Sequence, residues 1–174
     1  MRTTPDLPEV ELSERDGRYL RKAIVWSHLG ARRGNQPYGA VIVSLTGEVL
    51  GEACNTVAEA DDCTAHAEMN AIRSMAHRGI VRERLAESTL YASAEPCLMC
   101  AGAIRWSGIG RVVFGIDATR LARLRAELAN APDEVALSGG DALRTAPAAV
   151  ECIGPAFVEE AAAAHVAAQR PAAN

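Results

Sequence analysis

Thr64-Ala65-His66-Ala67-Glu68 and, about thirty residues on, Glu95-Pro96-Cys97-Leu98-Met99-Cys100 are the two segments around which the chain reads. One histidine and a close pair of cysteines supply three ligands of the kind zinc takes, leaving one of its four positions open. Glu68 stands two residues past His66, close enough to move protons beside such a metal without ligating it. Both segments read as helix starts. Thr64 is placed as the cap of a helix from Ala65 to about His77 with Gly79 as its stop, and Pro96 as the first residue of a helix running to Trp106. His66, Cys97 and Cys100 then fall in first helical turns, where the partial positive charge favours thiolate over thiol. Two such starts on one sheet edge bring the three ligands together. The expected cofactor is one Zn2+ per subunit, with a bound water or hydroxide in the fourth position.

The flanking chain supplies the sheet. Residues 1–12 are polar, with two prolines, and read as a flexible arm. Ser13 is a helix cap with Asp16 three residues on, and Tyr19, Ala23, Trp26 and Gly30 recur at helical steps. Ala40 to Val43 and Val49 to Val57 read as two strands joined by a turn at Thr46-Gly47, and Ala58 to Cys63 as an acidic loop. Thr89 to Ala92 and Val112 to Phe114 are further strands, followed by a helix from Thr119 to Ala129. Asn130 to Asp141 is expected as a loop, Ala149 to Ile153 as a fifth strand and Phe157 to Gln169 as a last helix, with a frayed tail over Arg170–Asn174. Strands separated by helices in the second half predict an α/β sandwich, and the helix after the fourth strand is long enough for a parallel crossover. The expected organisation is a single zinc-dependent domain over 13–169.

Bulk properties narrow the function classes. The 174 residues are 49% hydrophobic and 23% charged, the composition of one ordinary globular domain. No apolar run approaches the roughly 18 residues needed to cross a bilayer, and the N-terminus has no secretory apolar region. A cytoplasmic location follows as the default. Five cysteines at irregular spacing favour a reduced compartment, with Cys54, Cys63 and Cys152 as ordinary thiols. A net charge of −4 argues against a grip on phosphate backbones. Cys97-x-x-Cys100 alone would also fit a redox pair, but a redox pair has no use for His-x-Glu on a second helix start.

With these residues in hand, the chain resembles the cytidine deaminase superfamily over roughly Trp26 to Ile116. The H-x-E…P-C-x-x-C arrangement is the signature of zinc-dependent base deaminases. Pro37-Tyr38-Gly39-Ala40-Val41-Ile42-Val43 is similar to the family's first-strand signature, and Ala101-Gly102-Ala103-Ile104 continues the second metal box in its manner. The resemblance implies a cytidine-deaminase-like three-layer α/β/α sandwich with a five-stranded mixed sheet, a homodimer, and Asn55 as a hydrogen-bonding partner of the bound base. It is strongest to the bacterial guanine deaminases and the tRNA adenosine deaminases.

Ile109 to Gly115 is very like the tRNA branch, whereas Trp106 stands where that branch usually has histidine and guanine deaminases have tryptophan. Trp106 could stack on a flat base or pack into the core at a helix end; both readings stay open. From Ala118 to Asn174 five arginines face seven carboxylates, unlike a basic helix that neutralises tRNA phosphates. The expected substrate is therefore a small free nucleobase or related amino-heterocycle, guanine first, with cytosine, a pterin or a triazine behind it. A tRNA-specific adenosine deaminase and a non-catalytic zinc scaffold are the competing readings, with nucleic acid and membrane not expected as partners. The backbone N–H of Ala67 and the Asn55 amide would hold the ring, with Trp106 or His28 stacking. Asp117 is a candidate substrate-contacting acid whose alternative role, the favoured one, is a helix cap.

Overall fold

Five strands, β1 (Gly39–Val43), β2 (Val49–Cys54), β3 (Thr89–Ala94), β4 (Arg111–Ile116) and β5 (Glu151–Ile153), form one sheet in the order β2-β1-β3-β4-β5. The computed structural model describes residues 6–80, 85–129, 138–145 and 150–169. β1 is antiparallel to both β2 and β3, while β3, β4 and β5 run parallel. The three central strands are apolar at nearly every position because helices cover both faces. Their side chains divide with period two. Ala40, Ile42, Leu90, Val112 and Phe114 enter one core, and Val41, Val43, Tyr91 and Val113 enter the other.

The first core lies under α3 (Ala67–His77), α4 (Leu98–Ser107) and α6 (Gly139–Thr145), represented by Ala71, Met75, Ile104 and Leu143. The second lies under α1 (Glu14–Arg32), α5 (Ala118–Ala129) and α7 (Val158–Ala168), represented by Leu20, Ile24, Leu121 and Ala161. The expected three-layer α/β/α sandwich with a mixed five-stranded sheet is the observed fold. The predicted parallel crossover joins β4 to β5.

The local signals hold where a side chain acts alone. Ser13 caps α1, its Oγ accepting from the Asp16 N–H at 3.1 Å. Thr46-Gly47 makes the hairpin turn, with Gly47 at φ +94° and its N–H donating to the Ser44 carbonyl at 3.0 Å. Gly39 lets α1 lie against β1, because a Cβ there would stand 2.1 Å from the Ala23 carbonyl oxygen.

Other expectations need correction. Strand β2 ends at Cys54, and Val57, read as strand, opens a short helix α2 (Val57–Ala60) inside the supposed acidic loop. The cap of α3 is His66 rather than Thr64, whose own hydroxyl and N–H bond Asp62. Cys97 caps α4, so Pro96 lies one residue outside the helix it was expected to begin. Gly139 and Gly140, read as loop, begin α6. The remainder of that expected loop, residues 130–137, lies outside the described residues, as do Ala149 and the expected frayed tail.

Candidate active site

β2 and β3 are both antiparallel to β1, so they point the same way across it. The chain leaving each of their C-terminal ends turns into a helix on the same face of the sheet, α3 and α4. The starts of those two helices therefore meet at one sheet edge. The N-terminal end of β1 lies there too, since Gly39 pairs with Cys54, and so does the end of β4, which runs parallel to β3.

His66 Nδ1 lies 3.6 Å from the Sγ atoms of both Cys97 and Cys100. The three ligand atoms all fall within 4.8 Å of one another. A tetrahedral zinc with Zn–S of about 2.3 Å and Zn–N of about 2.0–2.1 Å has an N···S edge of about 3.6 Å. The donor set and its spacing therefore fit zinc. One thiol hydrogen-bonds the other: Cys97, accepting from Cys100 and paired with His66, is held down to about 4. Cys100 is pushed far up, first by that hydrogen bond and then by burial. A zinc ion would hold both as thiolates.

Glu68, only 7% exposed, is in the first turn of α3. Burial raises its pKa above the ordinary carboxylate value, and its own N–H and the His66 charge oppose that rise. A carboxylate whose proton affinity is raised by burial, beside a metal site, suits proton transfer. Ala67 is the first helical residue, so its N–H has no partner within the helix.

The loop carrying His66 is rigidly tied. Asn70 Nδ2 donates to the carbonyls of Cys54 and Ala65, both at 3.1 Å, and to Thr56 Oγ1 at 2.9 Å. The turn carrying Cys97 is tied by Glu95. Its carboxylate accepts from the N–H groups of Ala118 at 2.9 Å and Gly140 at 3.2 Å, and from the Ser138 hydroxyl. Gly139 sits so close beneath that turn that a Cβ would stand 2.1 Å from the Pro96 carbonyl oxygen. Neither Asn70 nor Glu95 was singled out from sequence. Their only signal was position, one in the His-x-Glu helix and one just before Pro-Cys.

The proposed substrate contacts divide. Asn55 is at the same edge, 2% exposed, with Oδ1 accepting from the Val57 N–H at 3.1 Å. Its Nδ2 makes no hydrogen bond to a described residue. Asp117 is the buried cap of α5, its Oδ1 accepting from the Arg120 N–H at 2.9 Å and its Oδ2 bound by the Arg120 guanidinium. The helix-cap role is thus the one it occupies, and both carboxylate oxygens are committed. Trp106 is corrected on its core reading: it is 80% exposed, in the last turn of α4, about 9 Å along the axis from Cys100. His28, on α1, is placed beside His165 of α7, and nothing groups it with the metal ligands.

An α/β/α sheet with His, Cys, Cys and a buried glutamate at one edge defines the zinc-type deaminase class by fold and site. The chain belongs to the cytidine and deoxycytidylate deaminase family, whose zinc-binding region matches residues 13–116. A probable cytosine deaminase of Schizosaccharomyces pombe is 37% identical over 159 residues, 91% of this chain and 95% of that protein. A tRNA-specific adenosine deaminase of Haemophilus influenzae is 44% identical, over 59% of each chain. The X-ray structure of guanine deaminase from Bacillus subtilis superposes with a TM-score of 0.58 and 32% identity, covering 70% of this chain and 79% of that one. No helix among the described residues is long and apolar enough to cross a membrane.

Proposed function

We propose that the chain is a zinc-dependent hydrolytic deaminase of a small free nucleobase or related amino-heterocycle. The observation that carries the chemistry is Glu68, buried beside a His66–Cys97–Cys100 cluster whose edges match a zinc tetrahedron. His66, Cys97 and Cys100 would hold the ion, which when bound supplies a water acidic enough to attack near neutral pH. Glu68 takes one proton from the attacking water and gives it to a ring nitrogen, then carries the second from the new hydroxyl to the departing amine. Water oxygen adds to the amino-bearing carbon, the C–N bond breaks, and ammonia leaves a ring carbonyl behind. The Ala67 N–H and Asn55 Nδ2 are the donors that hold the ring.

Guanine and cytosine are the leading substrates. The likeness to the Bacillus subtilis guanine deaminase supports the first; the Schizosaccharomyces pombe relative, matched over nearly its whole length, supports the second. The non-basic stretch from Ala118 to Asn174 favours a free base over tRNA. The deaminase unit is assigned to 13–169 and to the cytoplasm, where thiolate ligands stay reduced. A homodimer is assigned from the family resemblance, with the exposed Leu98, Met99 and Trp106 of α4 in support. Ammonia release is to be measured on guanine, cytosine, adenine, pterins, triazines and a tRNA anticodon stem-loop. Turnover of a free base is expected; inosine formed in the stem-loop with every free base inert would reverse the assignment.

A further inference from the structure

Asn55 is one residue past Cys54, at the edge where His66 stands, and the short helix α2 begins two residues beyond it. Asn70 joins the two loops there by binding the carbonyls of Cys54 and Ala65. Thr56 occupies the cap position of α2 but makes no side-chain cap bond. Its hydroxyl accepts from Asn70 at 2.9 Å instead. The first N–H groups of a helix need acceptors from outside it. In α2 two side-chain amides provide them. Asn55 Oδ1 takes the Val57 N–H and Asn35 Oδ1 takes the Glu59 N–H, both at 3.1 Å.

Asn35 reaches α2 from the turn that follows α1, where its own N–H donates to the Gly30 carbonyl at 3.0 Å. It is 6% exposed, and its Nδ2 donates to the Glu59 carboxylate at 3.4 Å. Arg33 binds the same carboxylate at 2.6 and 2.8 Å. The side chains of that ion pair are 45% and 46% exposed, so water screens it and it adds little. The buried amide is the stronger tie. A single helical turn does not hold itself together in water, so α2 depends on the acceptors brought to it.

The polarity of this arrangement reaches the site. A backbone N–H only donates, so the Val57 N–H takes the amide oxygen of Asn55 and leaves Nδ2 as the free end. Fraying of α2 withdraws the Val57 N–H and frees the Asn55 amide to turn, setting an acceptor where the ring meets a donor.

We propose that Asn35 is a positioning residue for base binding. By capping α2 at the Glu59 N–H it holds the Val57 N–H against Asn55 Oδ1, and so keeps Nδ2 as the group that Asn55 offers the ring. This rests on the deaminase reading and on Asn55 as a donor to the base, and it reaches the base through Asn55 alone.

The test is a double-mutant cycle in the zinc-loaded full chain, with guanine and cytosine as substrates and zinc content as the control. Asn35→Ala is expected to lower kcat/KM by about tenfold in the parent and by less than about twofold in an Asn55→Ala background. A second readout is independent of turnover: the Asn55 side-chain amide in ¹⁵N spectra, assigned by its loss in Asn55→Ala. Its heteronuclear NOE should fall in Asn35→Ala while that of the Asn70 amide stays unchanged. Asn35→Asp keeps the acceptor for the Glu59 N–H but sets a second carboxylate against Glu59. It serves as the milder variant should Asn35→Ala not fold, and adding Glu59→Gln to it should restore the parent values. Equal losses in both backgrounds, no loss in either, or an Asn55 amide that stays rigid would overturn the role of Asn35 and leave the deaminase assignment intact. A parent protein inert on every free base would overturn that assignment instead, with the amide spectra still deciding whether Asn35 holds Asn55.

Discussion

Glu68 shows what a single residue contributes here. It is shielded from solvent, adjoins the metal ligands and has a raised pKa whose first cause is desolvation. Glu68→Gln keeps the shape and removes the proton carrier. Zinc measured by atomic absorption should stay at one ion per chain, while ammonia release falls by about a hundredfold or more. Loss of zinc in that variant would mean that Glu68 holds the site together rather than moving protons. The residues of the metal centre were legible because their chemistry dictates both type and spacing. Trp106 was not legible, because its environment depends on which side of α4 meets the sheet. Cys100, Ala101 and Ile104 take the buried side, leaving Trp106 in solvent with Leu98 and Met99.

At the scale of elements, two short tethers fix where the ligands stand. Glu95 binds the start of α5 and the start of α6 to the turn before α4. Replacing it with alanine strands the N–H groups of Ala118 and Gly140 and should cost about 1–3 kcal/mol of stability in urea titrations. Zinc affinity should fall with it, read by competition with a chromogenic chelator, because the Cys97 turn loses its tether. Asn70→Ala is expected to do the same to the His66 loop, by leaving the carbonyls of Cys54 and Ala65 and the Thr56 hydroxyl without their shared donor. Unchanged zinc affinity in both variants would remove the positioning roles. Helix existence was readable from periodicity, but the starts slipped by a residue or two. Thr64 was expected to cap α3 and is instead engaged with Asp62, so the cap moved to His66.

For the whole molecule, Asp16 is the joint between layers. From α1 it accepts both Arg111 N–H groups of β4, at 2.8 and 3.0 Å, and the Tyr91 hydroxyl of β3 at 2.8 Å. Arg111 above all holds its carboxyl down to about 2, against an ordinary 3.8. A folded-state pKa below the unfolded one contributes stability that is present in full above about pH 4 and lost as pH falls through about 2. That contribution is about 2 kcal/mol. Asp16→Asn should lose it at pH 7, and the gap between variant and parent in urea midpoint should close on acidification across that window. A gap independent of pH would mean that Asp16 acts through shape rather than charge.

The sequence by itself determined the chemistry and the layering. His66, Glu68, Cys97 and Cys100 can serve a zinc-type hydrolysis wherever the chain brings them together, and apolar runs such as Ala40 to Val43 demand cover on both faces. Tertiary structure alone decided what surrounds that chemistry. Asn70 ties the His66 loop to Cys54 and Thr56, and Glu95 ties the Cys97 turn to Ala118 and Gly140, partners far apart in the chain that no periodicity relates. Only the shared edge of β1, β2, β3 and β4, set by strand direction, gives the metal ligands their neighbours. Helix packing over that edge then decides which side chains are buried against it and which, like Trp106, face water.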